Sequence, residues 1–210
     1  MFSKTILMGA AALGLMTAAA SPALAAPLTG TFDITVYQGV GDGTSTNPKE
    51  QAELGNPLFK TTPVGSFVYQ GPLDFNSPPG PNTVSGFIAT GGGTTVGTVP
   101  TTVLSTATFM DTTLFDITGT LSETEVGTVS HDDGASLYQN GATVFNSAAP
   151  TVDVPSAYTL APGAFELVYV EANGLPAVLD VETVPEPASL ALLGAGLVGL
   201  GLVTRRRKAA

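Results

Sequence analysis

Polar and apolar residues alternate along short stretches of this chain far more often than they recur at helical spacing. Thr31–Tyr37 sets Phe32, Ile34 and Val36 against Thr31, Asp33 and Thr35, the period-two pattern of a strand with one buried face. Ser66–Tyr69 predicts a second strand. Leu114–Leu121 sets Phe115, Ile117 and Gly119 against Leu114, Asp116, Thr118 and Thr120, then reaches a turn at Ser122–Glu125. Val126–Ser130 leads into His131-Asp132-Asp133-Gly134. Asn140-Gly141 separates Ala135–Gln139 from Ala142–Phe145; both residues accept positive φ, so the pair predicts a type I′ hairpin. A second hairpin is predicted from Phe165–Val170 through Ala172–Pro176 to Ala177–Val181. Gly39–Asn47 reads as a flexible loop, and Pro48–Phe59 as holding a short helix around Lys49–Leu54, with Pro48 suited to a first turn. Pro78-Pro79-Gly80-Pro81 reads as a rigid surface loop. Thr83–Thr108, rich in Gly and Thr, reads as a long loop with edge strands. The Thr-Thr pairs at 94–95, 101–102 and 112–113 keep no constant period, whereas an ice-binding face needs a regular array. The predicted fold is all-β: an antiparallel β-sandwich of jelly-roll character whose two sheets bury alternating Val, Ile, Leu and Phe.

Both ends break this pattern. Lys4, the apolar stretch Ile6–Ala20 and the small-x-small triplet Ala23-Leu24-Ala25 make a secretory signal. It predicts export through the Sec translocon, cleavage by signal peptidase after Ala25 and a mature N-terminus at Ala26. At the other end, Val184-Pro185-Glu186-Pro187 precedes residues 188–204, which carry no charge, and then Arg205-Arg206-Arg207-Lys208. A helix of that length spans roughly 25 Å, near the lower limit for a transmembrane helix. Gly194, Gly196, Gly199 and Gly201 are tolerated in lipid and allow close helix approach. The cations put the C-terminus in the cytoplasm and the N-terminal side outside. The alternative is a buried core helix. This order of elements resembles the PEP-CTERM sorting tail, which exosortases handle in Gram-negative bacteria. The resemblance implies transient anchoring in the inner membrane, processing by an exosortase, and delivery to the cell surface or extracellular matrix. It divides the chain into a signal peptide (1–25), an exported domain (26–183) and a sorting tail (184–210).

Composition narrows what the exported domain can do. Sixteen of the seventeen acidic residues but only two of the seven basic ones, Lys49 and Lys60, lie between residues 26 and 184, a net charge of −14. Such a surface repels nucleic acid and favours cations. There is no cysteine, so disulfides, thiol catalysis and thiolate metal sites are excluded. The single histidine, His131, rules out a multi-histidine zinc site, and no Gly-x-Ser-x-Gly elbow accompanies it. These absences argue against an enzyme, although a carboxylate-based hydrolase needs no histidine.

One segment carries candidate chemistry. His131-Asp132-Asp133-Gly134-Ala135-Ser136-Leu137-Tyr138-Gln139-Asn140-Gly141 resembles the Asp-Asp-Gly…Leu-Tyr…Gly signature of the protective-antigen-type adhesin sandwich. Fungal flocculins, GLEYA adhesins and fibro-slime proteins share that domain. Ala161-Pro162-Gly163 through Asn173-Gly174 to Asp180 is similar to its closing segment, so the likeness covers about Leu114–Val181. It implies a Ca²⁺ ion held by Asp132 and Asp133, with Asn173 as third side-chain ligand and loop carbonyls such as that of Leu175. In the sugar-binding members such an ion chelates sugar hydroxyls. Neighbouring side chains on a strand point to opposite faces, so only a sharp turn or a cis peptide brings both carboxylates to one ion. Calcium takes six to eight oxygens, the remainder from carbonyls and water. The chain departs from the sugar binders in its short final loop and its lack of tryptophan. The competing reading is that Asp132-Asp133-Gly134 caps a hairpin through its own backbone. His131 is expected to cap that turn or lie beside it, and Glu123 and Glu125 to be solvated. The expected function is a non-enzymatic, calcium-dependent glycan-binding module tied to exopolysaccharide or biofilm. A structural envelope protein without a ligand is the alternative.

Overall fold

The computed structural model describes residues 24–184 and Gly196. The expected signal helix with Ala23, the residues Pro185, Glu186 and Pro187, the span 188–204 and the cations Arg205, Arg206, Arg207 and Lys208 lie outside the described residues. Among the described residues, no helix is long and apolar enough to cross a membrane.

Among the described residues twelve strands form two antiparallel sheets, as the alternation predicts. They are β1 (Ala26–Pro27), β2 (Thr29–Val40), β3 (Gly65–Pro72), β4 (Asp74–Asn76), β5 (Thr94–Thr98) and β6 (Asp111–Leu121). The second half supplies β7 (Glu125–Asp132), β8 (Gly134–Gln139), β9 (Ala142–Ser147), β10 (Val154–Leu160), β11 (Gly163–Glu171) and β12 (Val178–Thr183). One sheet runs β5-β3-β2-β6-β11-β8-β9; the other runs β1-β12-β7-β10, with β4 also paired to β12.

The inward face of β2 is the predicted one: Phe32, Ile34 and Val36 are buried. Across β6 they meet Phe115 and Ile117, and across β11 Phe165, Leu167 and Tyr169. The other sheet contributes Phe75, Val129, Tyr158, Leu179 and Val181 to the same core. This shared filling between two sheets is what makes the fold a sandwich. Asn140 (φ 52°) and Gly141 (φ 76°) join β8 to β9 in the positive-φ turn that their identity predicts.

Three expectations are corrected. Lys49–Leu54 is not a helix; single 3₁₀ turns stand at Pro48–Glu50 and Pro57–Lys60. Each is capped by the asparagine before it, and Asn56 ties them together by donating to the Lys49 and Gln51 carbonyls. Ala52 and Leu58 from this segment cover Leu114, Tyr138, Val168 and Val170 on the outer face of the larger sheet. Secondly, Thr83–Thr108 holds a helix, α1 (Val84–Thr90), besides the edge strand β5. Thr83 caps it by accepting from the Gly86 N–H, and Val84, Phe87 and Ile88 bury one side of it. Thirdly, β11 and β12 are not a hairpin. They belong to different sheets, and residues 172–177 cross between them.

Candidate functional site

β7 ends at Asp132 in the smaller sheet, and β8 begins at Gly134 in the larger one. Asp133 is the whole connection. It therefore does not cap a hairpin. The Asp132–Asp133 peptide is cis, as is Leu175–Pro176 in the second crossing. Gly134 allows the close pass: a Cβ there would collide with the carbonyl oxygen of Ala148.

The two crossings lie side by side. Asp132, Asp133, Asn173 and Leu175 all line one cavity of about 250 Å³, with Phe109 and Thr151 in its wall. All four residues named as candidate ligands from the sequence are thus brought together. Oδ2 of Asp133 accepts from the N–H groups of Ala172 (2.8 Å) and Asn173 (3.0 Å). That holds the carboxylate in place and makes Oδ1 the available ligand atom. Oδ1 of Asn173 accepts from the Thr108 N–H at 3.1 Å, and its second lone pair remains.

A second layer, silent in the sequence, holds the first. Tyr169, fully buried, donates its hydroxyl proton to the carbonyl oxygen of Asp132. The same hydroxyl lies 3.1 Å from Oε2 of Glu171, also fully buried. A hydroxyl has one proton, so the second contact needs its proton from Glu171. Burial, then the charge of Asp133, pushes the Glu171 carboxyl up to about 9, so it carries that proton at neutral pH. Ser105 donates to Oε1 of Glu171 at 2.7 Å and accepts from the Gly174 N–H at 3.0 Å. Three side chains from two parts of the chain thereby fix both crossings to each other.

Electrostatically the cavity is short of positive charge. Burial pushes Asp133 up to about 6, with Asp132 adding to the rise against its two backbone hydrogen bonds. Burial and then Asp153 also raise Asp132. His131 does not relieve them. Burial lowers its pKa, Nδ1 lies 2.7 Å from the Asp133 carbonyl oxygen, and Nε2 lies 3.1 Å from the Ser156 hydroxyl. Its ring stacks on Phe145, which places it beside the connection rather than in the ligand set. Glu123 is exposed and Glu125 half-buried.

Two carboxylates, an amide oxygen and nearby carbonyls form an all-oxygen donor set, which suits a hard divalent cation. Bound there, the cation would reverse both upward pKa shifts by favouring the ionised carboxylates. Among the described residues no three His, Asp or Glu side chains converge as a metal cluster; this set reaches its donor count only through Asn173 and the backbone.

At the chain's ends, Ala25 and Ala26, flanking the expected cleavage point, are exposed, and Ala26 opens β1. Val184 is half exposed and donates its N–H to the Val126 carbonyl at 2.7 Å.

Residues 183–208 match the PEP-CTERM protein-sorting motif. No curated protein matches the chain in sequence. Two of the solved structures similar to it are PA14 domains. One is a PA14 sugar-binding domain from an RTX adhesin, at 17% identity over 73% of this chain and 88% of that one, with a TM-score of 0.48. The other is the PA14 domain of the antifreeze protein MpAFP, at 14% identity over 79% and 84%, with a TM-score of 0.46.

Proposed function

We propose that this is an exported surface protein whose domain 26–183 is a non-enzymatic, calcium-dependent glycan-binding module. The sorting motif at 183–208 supports the route. The signal peptide directs the chain to the Sec translocon and signal peptidase. The tail then rests in the inner membrane, with Arg205–Lys208 in the cytoplasm, until an exosortase processes it. Surface exopolysaccharide is the partner this route supplies.

The observation that carries the binding role is the meeting of Asp132, Asp133, Asn173 and Leu175 around one cavity. These residues come from two separate sheet crossings, and they gather oxygen donors with no cationic side chain among them. Calcium held there leaves open coordination positions toward solvent, and vicinal sugar hydroxyls are suited to fill them. Calorimetry of the purified protein with Ca²⁺ tests this, with Asp132→Ala as control. Binding heat in the parent and none in the variant is expected, followed by glycan-array signal that chelator abolishes. No calcium heat in the parent would sink the reading.

One observation favours a structural role without ligand: Oδ2 of Asp133 is already held by two backbone N–H groups. That role predicts a calcium-independent melting temperature and a blank glycan array.

A further inference from the structure

Glu50 is the least satisfied polar group described in the molecule. It closes the 3₁₀ turn Pro48–Glu50, is fully buried, and neither carboxylate oxygen has a hydrogen-bond partner. A buried carboxylate left in this state is strongly unfavourable. Lys49, the adjacent cation, does not serve it; its ammonium donates to the Val40 carbonyl at 3.0 Å.

What faces Glu50 is more oxygen. A Cβ on Gly41 would collide at once with Oε1 of Glu50 and the carbonyl oxygen of Phe109. Both acceptors therefore close on the spot that glycine leaves open. The Phe109 carbonyl is turned by two successive left-handed residues, Thr108 (φ 72°) and Phe109 (φ 56°), and also accepts from the Gly43 N–H at 3.0 Å. Asp42, next to Gly41, adds a second carboxylate, whose Oδ1 accepts from both the backbone N–H and the hydroxyl of Thr44.

We infer that Glu50 anchors a second divalent-cation site, formed by its carboxylate and the Phe109 carbonyl beneath Gly41, with Asp42 as neighbouring charge. A proton would satisfy only one Glu50 oxygen and leave the other stranded. A hard cation takes both, together with the facing carbonyl. Burial, then Asp42 and Asp133, raise the Glu50 carboxyl to about 7, the direction expected of a cation ligand without its ion. Phe109 also stands in the wall of the Asp132–Asp133 cavity, so the two sites share one residue. The Glu50 site does not require the other to bind calcium.

The test uses the full-length protein in detergent micelles, stripped with chelator and titrated with Ca²⁺ by calorimetry. Two ions per chain are expected for the parent, one for Glu50→Gln and one for Asp133→Asn. In chelator at pH 8, Glu50→Gln should melt no lower than the parent, because it removes a buried charge, while its calcium-induced shift shrinks. Should Glu50→Gln not fold, Glu50→Asp keeps the charge but withdraws the carboxylate by one methylene, and it should also lose one ion. Unchanged stoichiometry in the Glu50 variant overturns this site. If only Asp133→Asn then loses an ion, the glycan-site reading survives alone. If only the Glu50 variant loses one, that reading falls and this one stands.

Discussion

Replacing Tyr169 with phenylalanine removes one oxygen from the centre of the molecule and leaves the ring. The ring keeps its stacking on Phe87, with centroids 5.8 Å apart, and its tilt against Phe115 at 5.7 Å. What is lost is the bridge from the Asp132 carbonyl to the Glu171 carboxyl. Both partners are buried, so no water replaces the hydroxyl. Stranding a buried polar partner costs about 1–3 kcal/mol, and two partners put the loss at about 2–6 kcal/mol. With a urea dependence of about 2 kcal/mol per molar, the unfolding midpoint drops by about 1–3 M. Equilibrium unfolding by fluorescence and circular dichroism measures this, with coincident transitions as the check on two-state behaviour. Tyr158→Phe is the comparison. Its hydroxyl donates once, to the Glu182 carbonyl at 3.1 Å, so about 1 kcal/mol is expected. A double-mutant cycle of Tyr169→Phe with Glu171→Ala should give a coupling of at least about 0.5 kcal/mol. A loss under 1 kcal/mol for Tyr169→Phe, or no coupling, would refute the proton assignment that joins Glu171 to Asp132 through Tyr169.

Phe87→Ala empties the middle of an aromatic cluster with Phe75, Phe115 and Tyr169; a loss of about 3–5 kcal/mol is expected, and a loss below 1.5 would mean that α1 is not part of the core. Gly141→Ala forces a side chain to φ 76° in the β8–β9 turn and should cost about 1 kcal/mol by thermal melting; no change would argue against the I′ geometry. Burial, then Glu166, raises Asp116 to about 6. The unfolded chain releases that proton near 4, so the folded state holds more protons between about pH 4 and 6, and stability falls as pH rises through that window. Asp116→Asn should flatten the fall, and an unchanged slope in melting temperature against pH would count against it. Mass spectrometry of the surface form should find Ala26 first and no Arg205–Lys208; an intact basic end would rule out exosortase processing.

Legibility in the sequence followed how local each cause is. β2, β6 and the β8–β9 hairpin could be read because strict alternation and Asn140-Gly141 act within a few residues. The helix α1 could have been found from Thr83 as cap and the spacing of Val84, Phe87 and Ile88, but seven residues among glycines gave a weak signal. The error over β11 and β12 has another origin. A strand's partner is chosen by the whole sandwich, and β12 pairs with β1, whose residues precede it by more than 150 positions. The paired aspartates were visible as a motif. Their supports were not: Ser105 reaches Glu171 across 66 residues, and nothing near Glu50 marks it as buried. A carboxylate's solvent exposure depends on which distant loop folds over it.

The register of β12 fixes where the two ends of the domain lie. Ala26 pairs with Thr183 at one end of this strand, and Asp132 pairs with Val178 at the other. Five residues of strand separate them, about 17 Å. Residues 26 and 183 therefore lie together at one end of β12, and Asp132, which lines the acidic cavity, lies at the other. The paired aspartates thus stand at the far end of β12 from the residues at which the described domain begins and ends.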